Sequence, residues 1–302
     1  MAHTRRDFLR TAACALGGAA LASTVESFGL LDAYAQAAPG YRALVCVFLN
    51  GGNDGNNMVV PLDAGFADYG NARAASGLAL AQSSLLPVSP PSQPGRQFGL
   101  HPNMPEMQTL FNQGKLAVIC NTGPLAEPLT RATYRNGSAR KPLQLFSHSD
   151  QVALWQTSIA DTVSQTGWGG RVADRMAAAN SPSTFSHSIS IGGVSTFLTG
   201  NSTRQLAVTD ASSSLAQLLP LTMTGTTAER DARRAAFDQM RGADLSARLV
   251  RAAADTRTSA LQTSAQLSNV GFKNFATVFP GTSLGRQLLQ VGRLIAERAT
   301  FG

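Results

Sequence analysis

Seven consecutive residues, Ala43-Leu-Val-Cys-Val-Phe-Leu49, carry no charge and no amide, and they run directly into Asn50-Gly-Gly-Asn-Asp-Gly-Asn-Asn57. This junction constrains the fold more than any other part of the chain. Continuous rather than alternating apolarity fits a strand covered on both faces, as in a parallel sheet, and such a strand needs helices on either side. A second run of this kind, Leu116-Ala-Val-Ile-Cys120, follows a segment whose Met104, Met107, Leu110 and Phe111 form one helical face over 102–113. Gly114 suits the position just past a helix end. The order strand, helix, strand predicts an α/β fold.

The rest of the chain extends that pattern. Residues 69–100 hold Pro87, Pro90, Pro91 and Pro94 and read as an extended loop with little regular structure. Helices are predicted over 150–158 and 167–179. A third strand is predicted at 188–191, and a long Arg/Ala-rich helix over 227–269, broken near Gly242. A last helix is predicted over 283–299, with Leu284, Leu288, Val291 and Ile295 as its apolar stripe. No internal repeat is visible.

The start of the chain reads as an address. Thr4-Arg-Arg-Asp-Phe-Leu-Arg10 is a twin-arginine export pattern, and a small-residue apolar run follows it from Thr11 to Thr24. That run is too short for a membrane span, which needs about 20 apolar residues. Ala33-Tyr-Ala-Gln-Ala37 contains two overlapping cleavage sites, so a signal peptide over 1–37 is expected, with cleavage after Ala37 or, alternatively, Ala35. The other reading of this region is an amphipathic helix of the mature fold. Export places the mature chain in the periplasm or outside the cell, with no membrane span after signal removal. Because the twin-arginine route carries folded proteins, it also hints at a bound cofactor.

Charge and cysteine exclude some functions. The net charge is +7 and only 14% of residues are charged. The arginines are scattered and not interleaved with aromatics, which excludes a nucleic-acid partner. Cys46 and Cys120 lie one in each apolar run and are expected as buried free thiols in neighbouring core strands, with a disulfide as the alternative.

Three constellations carry chemistry. The loop 50–57 stands at a predicted strand end, where open α/β sheets bind ligands. Asp54 supplies a hard carboxylate and Asn53 and its neighbours supply neutral oxygens, a set that suits a hard divalent metal and equally suits a polar turn. It is neither an EF-hand nor a Walker loop. Leu145-Phe-Ser-His-Ser-Asp-Gln151 enters a helix. Ser147 or Ser149 there is either an N-cap or a hydroxyl placed where backbone N–H groups stabilise an oxyanion, with His148 beside it. No Gly-x-Ser-x-Gly elbow occurs. His101, in Gly99-Leu-His-Pro-Asn103, reads as a turn cap or a ligand, and Trp155, Trp168, Gly169 and Gly170 read as packing features.

Taken in order, these motifs resemble the exported bacterial family called domain of unknown function 1501. The matching pieces are the twin-arginine signal, Val47-Phe-Leu-Asn-Gly-Gly-Asn-Asp-Gly-Asn-Asn57, Val60-Pro-Leu62, Tyr69 with Arg73, and Leu85-Leu-Pro-Val88. Gly99-Leu-His-Pro102, Gly114-Lys-Leu-Ala-Val-Ile119 and Ser147-His148 with Gln151 complete the set. The resemblance implies an alkaline-phosphatase- or sulfatase-like superfamily member, with a parallel-sheet core flanked by helices over 38–302. It implies Asp54, with Asn53, as metal ligands, and Ser147 or Ser149 as the nucleophile, assisted by His148. A phosphate or sulfate ester would be hydrolysed with Zn, Mn or Ca as the divalent metal. The family's further ligands are expected in motifs of the type Gly-Gly-Phe-Asp-Thr-His, and none occurs here. The domain is therefore expected to be incomplete at its C-terminus, corresponding to the front two-thirds, and inactive as a hydrolase. The alternative is a non-catalytic periplasmic protein that binds an exported partner. A solute-binding protein ranks last, because a two-lobe pattern is missing.

Overall fold

The computed structural model describes residues 41–51, 53–180, 185–213, 226–242, 246–268 and 274–300. The expected signal peptide and both expected cleavage sites lie outside the described residues. The chain is a mixture of helix and short sheet and divides into two compact units, one spanning Leu44–Gly123 and the other carrying Pro124–Gly302.

The first unit is built on a small antiparallel sheet. Its elements are the short helix α1 (Gly55–Met58), β1 (Val59–Pro61), α2 (Gly65–Ala74), β2 (Leu86–Val88), β3 (Phe98–Leu100) and α3 (Pro105–Asn112). The strand order is β1-β3-β2, with Val59 opposite Leu100 and Leu86 opposite the same residue on the other side. The core gathers Val60, Tyr69 and Leu85, against which Leu62, Phe66 and Leu80 pack. Burial of such side chains stabilises by about 1.5–3 kcal/mol each. Gly99 in β3 is required by close approach, since a Cβ there would stand 2.6 Å from the Leu85 Cβ.

Several expectations change in this unit. The run 43–49 forms no strand: its residues are exposed, with Leu44 at 78%. The run 116–120 likewise joins no sheet among the described residues, and Ile119 is 80% exposed. Apolar content favours burial in a sheet, yet a strand exists only where another strand accepts its backbone hydrogen bonds. Cys46 and Cys120 are consequently exposed free thiols rather than buried ones. The stretch 69–100, read as irregular, contains the end of α2 together with β2 and β3. Its prolines sit at β2 and in the turn before β3, leaving the β3 N–H groups free to pair. The sheet they form is antiparallel rather than parallel. The helix before Gly114 appears as expected. Gly114 adopts φ +68° and closes it, with its N–H donating to the Phe111 carbonyl at 2.9 Å.

The second unit is mainly helical. It contains α4 (Arg131–Asn136), α5 (His148–Thr157), α6 (Trp168–Met176), β4 (Ile189–Ser190), β5 (Leu206–Ala207), α7 (Thr227–Gly242), α8 (Arg248–Ser268) and α9 (Ser283–Ala296). The predicted third strand survives as β4, which pairs in parallel with β5. Phe185, Val208, Leu267 and Leu294 form the core, flanked by Ile189, Ile191 and Leu206. The helix break near Gly242 is present, since Ser246 and Ala247, between α7 and α8, are not helical. α9 buries Gly285, Gln290 and Leu294, a face offset from the predicted stripe, and Leu284 is 42% exposed. A Cβ on Gly285 would meet the Pro280 carbonyl oxygen at 2.1 Å, so the chain entering this helix leaves no room for a side chain at that position.

Candidate functional site

The loop 53–57 is held by its own unit. Asp54 is the N-cap of α1: its Oδ1 accepts the Asn56 N–H at 3.1 Å. Its Oδ2 is ion-paired with Arg73 of α2. The Asn53 amide nitrogen donates to the Met58 Sδ at 3.2 Å. Asn57 is buried; its Nδ2 donates to the Leu78 carbonyl at 2.9 Å and its Oδ1 accepts the Tyr69 hydroxyl at 2.8 Å. The Tyr69 oxygen in turn accepts the Leu80 N–H at 2.8 Å. Tyr69 and Arg73 stand four residues apart on one helix and together grip the Asn-rich motif.

For a divalent metal this donor set is thin. A hard cation takes several charged oxygens, and here Asp54 is the sole carboxylate of residues 53–57 and is already paired with a cation. Among the described residues no group of three or more His, Cys, Asp or Glu side chains is placed to hold a metal ion. The described residues of this loop do not by themselves fit a two-metal centre.

The second candidate region lies in the other unit, at the start of α5. The Ser147 Oγ accepts the Asp150 N–H at 3.4 Å, making Ser147 the N-cap, and it stands 3.2 Å from the Ser149 Oγ. Asp150 sits in the first turn, where a carboxylate complements the helix dipole. The Ser147 N–H donates to the Gln144 carbonyl at 2.9 Å. Gln151 reaches back to that same carbonyl at 3.2 Å, so the approach to α5 is tied down by the helix it enters. Gln144 itself adopts φ +47°, a turn that lets one carbonyl serve both donors. His148 and Ser149 are exposed. No hydrogen bond among the described residues links His148 to Ser147, because neighbours on a helix do not face each other. The serine pair, rather than serine and histidine, is what the geometry brings together.

The Trp and Gly features lie in the last turn of α5 and the first turn of α6. Trp155, Trp168 and Phe197 form an aromatic cluster, with centroids 5.8 Å apart for the two tryptophans and 4.6 Å for Trp168 and Phe197. The Trp168 indole donates to the Trp155 carbonyl at 3.1 Å. A Cβ on Gly169 would lie 2.6 Å from the Phe197 ring, and one on Gly170 would lie 2.2 Å from the Thr199 carbonyl carbon, so both are packing residues as expected. In the first unit, the His101 Nδ1 accepts the Asn103 N–H at 3.1 Å and caps its turn.

One polar centre gave no signal in the sequence. Asp174 of α6 accepts the backbone N–H groups of Asn201 at 2.6 Å, Ser202 at 3.1 Å and Thr203 at 2.6 Å, and the Ser202 hydroxyl at 2.9 Å. Burial works to raise its pKa. The Thr203 and Asn201 N–H groups and the Thr203 and Ser202 side chains outweigh that and hold the carboxyl well below the usual range. Only the fold brings these partners 27 to 29 residues along the chain.

No family model, no curated protein and no solved structure matches this chain.

Proposed function

We propose that this is an exported protein, of a lineage shared with alkaline-phosphatase-like ester hydrolases, that acts by binding another exported protein rather than by turning over an ester. One observation carries the reading. The uninterrupted apolar run from Leu44 to Leu49 is exposed along its whole length, with Leu44 at 78%. Exposed apolar stretches of this kind mark protein interaction sites. No described helix is long and apolar enough to cross a membrane. The experiment is affinity capture of the full chain from periplasm, alongside assays of phosphate and sulfate ester turnover. Recovery of one stoichiometric partner, lost in Val47→Asp, with no turnover, is the expected result. Turnover without a partner overturns it.

A second reading, the metal-dependent hydrolase, is favoured by the position of Ser147, a hydroxyl at the N-terminus of a ten-residue helix. It predicts ester turnover with added Zn²⁺, Mn²⁺ or Ca²⁺ that disappears in Asp54→Ala and in Ser147→Ala. Elemental analysis of the purified protein showing no bound metal removes this reading.

A further inference from the structure

The Asn-rich loop of the first unit already holds a cation, and it is a side chain. Both oxygens of Asp54 are engaged, one by the Asn56 N–H and the other by Arg73. Asn57 is engaged at both ends of its amide, by Tyr69 and by the Leu78 carbonyl. Arg73 and Tyr69 stand four residues apart, on one face of α2, and so hold the two ends of one short loop. The Arg73 side chain is only 15% exposed, and its buried Nε finds no acceptor among the described residues. Among the described residues Asp54 is the carboxylate ion-paired with this guanidinium.

We infer that the segment Asn53–Asn57 is a latch closed by Arg73, which stands where a metal ion would stand in a cation-binding loop, and that it takes no divalent cation. A guanidinium does not lose its proton in proteins, so it counters Asp54 whenever that carboxylate is charged. What remains for a metal is neutral oxygens, the side-chain amides of Asn53 and Asn56 and the backbone carbonyls. Affinity for hard cations follows the number of charged ligands, so those oxygens alone hold such an ion weakly. The position of the motif beside α2 makes it an internal clamp between α1, α2 and residues 78–80.

The test uses the full chain, with Zn²⁺, Mn²⁺ and Ca²⁺ titrated separately by calorimetry, and thermal unfolding of wild type, Asp54→Asn, Arg73→Gln and the double variant. Wild type is expected to show no metal binding that depends on Asp54. Each single substitution is expected to lower the Tm by about 2–4 °C. The double variant is expected to fall no further than the worse single, because the two side chains stabilise through one another. Metal binding that persists in Asp54→Asn belongs to other residues and agrees with the inference. Saturable binding to wild type that vanishes in Asp54→Asn overturns it, as do additive losses in the double variant. Should Arg73→Gln not fold, the comparison of wild type with Asp54→Asn decides the question alone. Loss of the partner-binding reading would leave this inference untouched.

Discussion

The Tyr69 hydroxyl donates to the Asn57 side-chain oxygen at 2.8 Å and accepts the Leu80 N–H at the same distance. One phenolic oxygen therefore satisfies a buried amide and a backbone donor from opposite sides. Tyr69→Phe removes both bonds and leaves Asn57 buried with its oxygen unmet. Such a group costs about 1–3 kcal/mol, so the variant should lose that much stability in denaturant unfolding. Adding Asn57→Ala to it should cost less than the sum of the two changes.

Asp174 predicts an acid sensitivity. Its folded-state carboxyl is held below the ordinary value, so the stability it contributes is complete above the unfolded value and is lost as pH falls toward the folded one. With an ordinary carboxylate near about 3.9, the loss should run from roughly pH 5 downward. Asp174→Asn should be less stable than wild type at neutral pH and should show a flatter Tm profile between about pH 5 and pH 2. A slope equal to that of wild type would show that Asp174 titrates normally.

The approach of α6 to the 196–200 segment is set by glycine. Gly170→Ala places a methyl 2.2 Å from the Thr199 carbonyl carbon, and the obstacle is backbone, which cannot rotate away. Overpacking of this sort costs about 1–3 kcal/mol or more. Gly192→Ala, where a Cβ meets nothing within 4 Å, serves as the control and should be nearly neutral. Calorimetric unfolding of both variants checks the contrast.

Ser147 separates a capping role from a catalytic one. Ser147→Ala should cost about 1 kcal/mol through the lost cap, and Ser147→Asp, which caps as well as serine, should restore it. If ester turnover were present and survived in Ser147→Ala, the hydroxyl would not be the nucleophile.

Much of the helical framework was legible because helix signals are local. Gly114 at the end of α3 and Ser147 at the start of α5 each mark a boundary through the chemistry of a few adjacent residues. Strands were legible only in part. The run 43–49 has a suitable composition but takes no partner strand among the described residues, whereas Leu86–Val88 and Phe98–Leu100 form a sheet despite Pro87 and Gly99. Pairing is decided by a segment ten or more residues away, which composition does not report. The same limit applies to the polar centres. The motif around Asp54 stood out, but its partner Arg73 lies 19 residues further on, and the loop that surrounds Asp174 lies 27 residues beyond it.

The aromatic cluster of α5 and α6 has a practical consequence. The chain contains two tryptophans, and both belong to that cluster in the Pro124–Gly302 unit. Intrinsic tryptophan fluorescence will therefore report the melting of that unit alone and stay silent while the Leu44–Gly123 unit opens. A single smooth emission curve would not establish all-or-none unfolding of the whole chain, and Tyr69, buried against Phe66 at 5.6 Å, is the native chromophore to follow in the other unit.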